Sequence, residues 1–472
     1  MLSGIVKTKY GLVGGIALAG CILYRGIPYA KPPLGEDRFK APRAPEAWDG
    51  LFAADHFPSR APQSGSEDMP LYGKEFYSQP EYQTPMSEDC LYLNIWRPAE
   101  PAAPAASAAG NEATASSGLS DAVEATASSG LSGASASSGP ETSVPSDDVR
   151  PSSGYPVAIW LHGGAYNHGF GHELEFDGAA YAKRGVILVT INYRLGVLGF
   201  LAHPWLSEKE NGRSGNYGSL DQIAAIRWVK ENIAAFGGDS ENITVFGQSA
   251  GAMGTQVLIS SALTQGLIRR AILQSGGGYD TPMLKPISLA EAEKTGQAFV
   301  ESLGIRSYEE LMTVSPEVLY QAQDKQGLFL TPIVDGYVLE ATPDERLEQK
   351  KLLPIDYMLG STKDDLGNMQ GMDHTLFYQM TENWCKKREE LGEKPSYLYY
   401  FSHDLPGDEA GAFHSSELWY TFGTLGRCWR PMEAADYALS GAMLDAWTSF
   451  MKTGDPGWPA YTDANPYVKE FK

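Results

Sequence analysis

One short passage constrains this chain more than any other. The apolar run Ile243-Thr244-Val245-Phe246 leads directly into Gly247-Gln248-Ser249-Ala250-Gly251, which opens a helical segment. A strand that becomes a helix within five residues must carry its central residue through a strained backbone conformation. Only small neighbours let the two elements approach that closely. The turn lifts the serine hydroxyl above the sheet and aims the positive end of a helix at any negative charge developing beside it. Chance supplies G-x-S-x-G often; the position between strand and helix gives this match its weight. The competing reading is a glycine-rich turn with an inert serine.

The flanking sequence supplies the sheet that such a turn requires. Residues 91–96 (LYLNIW), 157–161 (VAIWL) and 185–192 (GVILVTIN) read as β-rich apolar runs, and 242–246 as a short strand. Residues 220–236 have helical periodicity, with Ile223, Ile226, Val229 and Ile233 on one face. Continuous apolar strands alternating with amphipathic helices predict an α/β fold, a mostly parallel sheet with helices on both faces. Residues 99–154 differ from everything else: Ala, Ser, Gly, Glu and Pro, no aromatic until Tyr155, and EATASSGLS at both 112–120 and 124–132. Such a composition buries too little apolar surface to offset chain entropy, so a disordered surface loop is expected there. It interrupts a single domain spanning 1–472; it does not separate two.

Charge and cysteine content narrow the function classes. Of 472 residues, 58 are acidic and 37 are Lys or Arg, a net charge of −21 that suits neither nucleic acid nor an anionic membrane. No run reaches the ~18 apolar residues a membrane span needs. The oligomeric state is not legible. Cys21, Cys90, Cys385 and Cys428 are too scattered for a zinc knuckle, a C-x-x-C pair or a disulfide scaffold. The N-terminus reads two ways. Lys7 and Lys9 precede a modest apolar run at 11–23, where Leu18-Ala19-Gly20-Cys21 has the look of a lipoprotein cleavage box. The run is glycine-rich, however, and YRGIPYAKPP follows Cys21 at once, so it also reads as two short strands joined at Gly14-Gly15. The expectation is a cytoplasmic protein, with export as a lipoprotein through Cys21 as the alternative.

A serine hydroxyl is a weak nucleophile and its tetrahedral adduct carries an oxyanion, so a base and hydrogen-bond donors should lie nearby. His162-Gly163-Gly164-Ala165 directly follows VAIWL, and its small residues leave backbone N–H groups open to a substrate oxygen. His162, His168, His172 and Glu173 are dense enough to suggest a metal, but their spacing means little on so glycine-rich a loop. No metal and no organic cofactor are expected. Downstream histidines are His374, His403 and His414, and the residues alone leave the choice among them open, His403 being tempting at the end of YLYYF.

The chain resembles the type-B carboxylesterases, which include cholinesterases and bacterial p-nitrobenzyl esterases, nearly end to end apart from the insert. The resemblance rests on YRGIPYAKPPLGEDRF (24–39), EDCLYLN (88–94), GNYGSLDQIAAIRWVKENIAAFGGD (215–239) and AILQSG (271–276). It implies an α/β-hydrolase fold and a serine hydrolase acting on small-molecule carboxylic esters through an acyl-enzyme. Ser249 would be the nucleophile and the N–H groups of Gly164, Ala165 and Ala250 the oxyanion donors. AGAFHSSELWYTFG selects His414 as the base, and STKDDLG after YMLG selects Asp365 as the acid, an Asp where many relatives carry Glu. Asp364 stays open as the acid. Arg38 and Glu88 would form a structural ion pair, and Asp335 in PIVDG a structural turn. The family's usual partner for Cys90 is missing from Arg60-Ala61-Pro62-Gln63, in keeping with a reducing compartment. The alternatives are a dedicated hydrolase of a natural-product ester, amide or carbamate, and a catalytically dead, neuroligin-like binding protein.

Overall fold

Strands that are apolar at every position must be covered on both faces, and such strands form the centre of this molecule. The computed structural model describes residues 2–63, 69–99, 154–280, 285–366 and 374–472. Along the chain its strands are β1 Leu2–Lys7, β2 Leu12–Leu18, β3 Cys21–Pro28, β4 Leu51–Ala53, β5 Tyr92–Pro98 and β6 Tyr155–Leu161. They continue with β7 Ile187–Ile191, β8 Gly238–Gln248, β9 Arg270–Gln274, β10 Asp356–Thr362, β11 Tyr397–Phe401 and β12 Lys469–Phe471. All belong to one sheet in the order β1-β2-β3-β5-β7-β6-β8-β9-β10-β11-β12, with β4 beside β2. From β7 to β12 every pairing is parallel. The pairings β1-β2, β2-β3, β3-β5 and β5-β7 are antiparallel. The expected α/β architecture is present.

Side chains alternate between the two faces of each strand. Ile159, Leu161, Val189 and Val245 point to one core, where Ile223, Ile226 and Val229 of the helix Tyr217–Asn232 cover them. Trp160, Leu188, Phe246 and Ile272 point to the other, against Met443, Leu444, Trp447 and Phe450 of the helix Ala434–Thr453. The helix expected over 220–236 starts three residues earlier and ends in a 3-10 turn, Ile233–Phe236, with Gly237 left-handed behind it.

The N-terminal expectation needs correction. Gly14 and Gly15 lie inside β2 and form no turn; the β2-β3 connection is at Ala19-Gly20, with Gly20 at φ 85°. The two glycines are there for packing: a Cβ on Gly15 would lie 2.7 Å from the Leu23 carbonyl oxygen and 2.8 Å from the Tyr24 ring. Cys21 is buried as the first residue of β3. The reading of 99–154 as disordered falls outside the described residues except at its two ends. On one side of it β5, and on the other β6 and β7, join the same sheet.

The implied structural contacts are in place. Arg38 grips Glu88 with Nε 2.7 Å from Oε2 and donates through a second nitrogen to the Val314 carbonyl at 2.6 Å. Asp335 Oδ1 accepts the backbone N–H groups of Tyr337, Val338 and Leu339 at 3.0, 2.8 and 3.1 Å, a closed turn. All four cysteines are unpaired thiols. Among the described residues no helix is long and apolar enough to cross a membrane, and no cluster of His, Cys, Asp and Glu could hold a metal ion.

Candidate active site

β8 runs directly into the helix Ala250–Ser260, and Ser249 between them has φ 55° and ψ −124°, a left-handed conformation costly for a residue with a Cβ. Neighbouring strands hold it there. The Ser249 N–H donates to the Gln274 carbonyl at the end of β9, 2.9 Å away. Gly251 lets the elbow lie against the end of β6, since a Cβ on it would sit 2.0 Å from the Leu161 carbonyl oxygen. Ala250 opens the helix, so its N–H has no partner within the helix.

The loop leaving β6 supplies the other candidate donors. Gly164, Ala165 and Tyr166 are successively left-handed, at φ 96°, 54° and 60°. The Gly164 carbonyl accepts the N–H groups of Asn167 and His168, at 2.9 and 3.0 Å, which ties that oxygen into the loop. His162 stacks on Tyr193 with centroids 4.4 Å apart, its Nδ1 2.9 Å from the Gly163 carbonyl oxygen; burial lowers it to about 3. His172 stacks on Phe57 and meets the Thr84 hydroxyl at 3.0 Å; burial again lowers it to about 3. Both imidazoles are neutral supports for the loop.

The acid and the base come from distant stretches of chain. Asp365 follows β10, and its carboxylate is hydrogen-bonded to Nδ1 of His414, 49 residues later. Asp364 faces the other way: its Oδ2 accepts the Ala412 N–H at 2.9 Å, and its own N–H donates to the Ala412 carbonyl at 3.0 Å. Neighbouring side chains on extended chain point to opposite sides, so Asp364 clamps the backbone that carries His414 while Asp365 meets the ring. Phe377 stacks on the imidazole at 5.7 Å, and the Tyr72 hydroxyl donates to the His414 carbonyl at 3.1 Å. Burial works against a charged His414, but the charge and hydrogen bond of Asp365 outweigh it, so its pKa is raised. The other histidines are elsewhere: His403 Nε2 is 2.8 Å from Asp436, and His374 stacks on Tyr378 at 4.1 Å.

Ser249, His414, Gly163, Gly164 and Ala165 line one cavity of about 290 Å³, walled by Tyr72, Phe76, Tyr77 and Phe176. Sequence reasoning missed several polar groups around it. Gln248 places its amide nitrogen 3.2 Å from His414 Nε2. Glu417, fully buried three residues after His414, is raised to about 7 by burial and then by the charge of Asp365. Glu173, which the sequence offers only as a metal ligand, accepts the Phe170 N–H at 2.9 Å and the Tyr77 hydroxyl at 3.0 Å. Burial raises Glu173 to about 7 and Glu175 well above the usual carboxylate range, the charge of Glu173 adding to the second shift. Glu417 lies within a motif that was read, HSSEL; nothing in the sequence marks Glu175.

The carboxylesterase family's sequence profile matches residues 3–389 and 370–471. The chain belongs to the carboxylesterase family. Its relatives in that family include the para-nitrobenzyl esterase of Bacillus subtilis, 32% identical over 98% of this chain and 93% of that one. Neuroligin-2 of Mus musculus is 31% identical over 97% of this chain, which spans 61% of that protein. Among solved structures a PNB esterase superposes with a TM-score of 0.78 at 29% identity, covering 99% of this chain and 95% of the other. The fold is therefore the α/β-hydrolase fold of the family, and the protein is a carboxylic ester hydrolase.

Proposed function

We propose that this carboxylesterase cleaves small-molecule esters through an acyl-enzyme on Ser249, with His414 as general base and Asp365 as its partner. One observation carries the reading: the Asp365 carboxylate on Nδ1 of His414, in the cavity that the strained Ser249 elbow also lines. With Nδ1–H donated to Asp365, the lone pair on Nε2 is the basic site. Ser249 Oγ attacks the ester carbonyl carbon, and its proton passes to Nε2. The oxyanion forms within reach of the Gly164, Ala165 and Ala250 N–H groups and of the helix N-terminus behind Ala250. As the tetrahedral adduct collapses, the imidazolium returns its proton to the leaving alcohol oxygen, and water repeats the cycle on the acyl-enzyme. Asp365 offsets the positive charge the ring carries between these steps. Esters, amides and carbamates would all engage these groups; family membership favours esters.

Neuroligins among the relatives raise the reading of a binding protein. The Asp365–His414 pair and the elbow serine argue for catalysis, since binding alone gives no reason to hold a strained serine in a cavity beside an oriented imidazole. The insert at 99–154 is proposed as a surface excursion from this one domain. A cytoplasmic location fits the four unpaired cysteines. Cleavage before Cys21 would strip β1 and β2 and leave β3 paired with β5 alone, as an open edge of the sheet. The mechanism is tested by treating the protein with a fluorophosphonate and mapping the adduct by mass spectrometry. One equivalent on Ser249, none on the Ser249→Ala protein, and loss of roughly six decades of kcat in that variant are expected. Full labelling of the alanine variant would rule Ser249 out.

A further inference from the structure

The lone pair that the proposed mechanism assigns to proton transfer is already engaged. Asp365 holds Nδ1 of His414, which leaves Nε2 an acceptor, and the Gln248 amide nitrogen stands 3.2 Å from it. Among the described residues no hydrogen bond joins the Ser249 hydroxyl to His414. Gln248 is the residue immediately before Ser249, so the two compete for Nε2 from adjacent positions on one strained turn. The loop after β6 confines the amide: a Cβ on Gly163 would lie 3.0 Å from Gln248 Oε1 and 3.3 Å from the Ser249 Cβ. An imidazole nitrogen has one in-plane lone pair and accepts one strong hydrogen bond.

We propose that Gln248 is a positioning residue that holds the His414 base and hands it to Ser249 during acyl transfer. This rests on the triad reading above. A primary amide can do this because it has both a donor and an acceptor end. Its N–H donates to neutral Nε2. Once Nε2 has taken the Ser249 proton and the new C–O bond has formed, Nε2 is a donor, and rotation of the amide presents Oε1 to it. The proton then goes to the leaving oxygen as the ester C–O bond breaks, and the amide nitrogen returns to Nε2. A carboxylate at this position could serve only the second state, and an apolar side chain neither.

Charges facing His414 set the background for a pH readout. They are Asp365 on Nδ1 and Glu417, whose charge also favours the protonated ring; the Tyr72 phenol sits at the backbone, and His168, Glu173 and Glu175 line the same cavity. A hydrogen bond to the neutral imidazole disfavours its protonation. Removing that bond should therefore raise the acid limb of kcat/KM and leave the ring unheld on its Nε2 side.

The experiment compares Gln248→Met and Gln248→Glu with wild type. It measures pH profiles of kcat/KM for a soluble ester and pH-dependent rates of Ser249 labelling by a fluorophosphonate, with the site mapped by mass spectrometry. Gln248→Met, which serves neither state of the ring, should move the acid limb up by about half to one unit and label about two- to tenfold more slowly above that limb, the range of one hydrogen bond. Gln248→Glu, which favours the imidazolium, should move the limb further up and label more slowly at neutral pH. An unmoved limb in both variants, or labelling by Gln248→Met above its limb that is as fast as wild type or faster, would overturn the proposal. If Gln248→Met does not fold, the limb of Gln248→Glu alone decides. Failure of the triad itself looks different: wild-type adduct would then map away from Ser249.

Discussion

Asp365 and Asp364 are adjacent, yet one meets the Nδ1 of His414 and the other the backbone N–H of Ala412. The first sets the tautomer of the ring and the second sets where the ring stands, so the two carboxylates should fail differently when altered. Asp365→Asn removes the charge that offsets the imidazolium and should lower kcat by roughly four decades. Asp364→Asn keeps an oxygen for the Ala412 N–H and should stay within about tenfold. Steady-state kinetics on a soluble ester decides; a severe Asp364→Asn and a mild Asp365→Asn would reverse the assignment.

Glu417 ties stability to pH. Its ordinary value of 4.5 is raised to about 7 in the folded protein, by burial first and by the charge of Asp365 second. A carboxyl that holds its proton more tightly when folded contributes stability below about pH 4.5. That contribution is lost as pH rises towards 7 and stays lost above it. Glu417→Gln avoids ionisation altogether, so it should unfold at a higher temperature than wild type at pH 8 and show no such gain at pH 4. The difference should be on the order of 3 kcal/mol. Thermal unfolding at the two pH values checks it, and an equal shift at both would show that Glu417 does not titrate in this window.

The short helix Pro70–Phe76 forms part of the cavity wall, and a buried charge pair pins it. Arg430 Nε lies 2.9 and 3.1 Å from the two oxygens of Glu75, which also accepts the indole N–H groups of Trp419 and Trp429 at 2.8 and 2.9 Å. Arg430→Met leaves that carboxylate buried and uncompensated, and should cost about 3–5 kcal/mol. Adding Glu75→Leu to it should recover part of the loss, because the carboxylate then left without Arg430 is the exposed Asp408 and no buried charge is unpaired. Denaturant unfolding of the two proteins makes the comparison, and a double variant worse than the single would refute the charge argument.

The proposed surface excursion can be tested by shortening it. β7 lies between β5 and β6 in the sheet, so the two ends are about 10 Å apart, at ~4.8 Å per strand. Three extended residues reach roughly that far. Replacing residues 100–153 by about eight Gly and Ser residues should leave kcat/KM within about threefold and cost little stability, loop entropy growing slowly with length. A collapse of activity would show that the insert contributes to the site.

What the sequence determined by itself was local and contiguous. The elbow at Ser249, the donor loop after β6 and the apolar strands around them are each specified by residues that touch through neighbouring backbone. The parallel sheet follows because strands apolar throughout must be covered on both faces. Family motifs, not spacing, pointed to His414 and Asp365 from sequence. What only the tertiary structure decided was which distant groups meet. It brought His414 to Gln248 across 166 residues, set His403 against Asp436, and turned Asp365 inward and Asp364 outward. The same holds for Gly14 and Gly15: they read as a turn until neighbouring strands close on them, Leu2 and Leu51 against Gly14 and Leu23 and Tyr24 of β3 against Gly15. The raised carboxyls of Glu173, Glu175 and Glu417 were invisible for one physical reason. Desolvation dominates each shift, and it is imposed by whatever the fold packs around the carboxyl, not by the residues beside it in the chain.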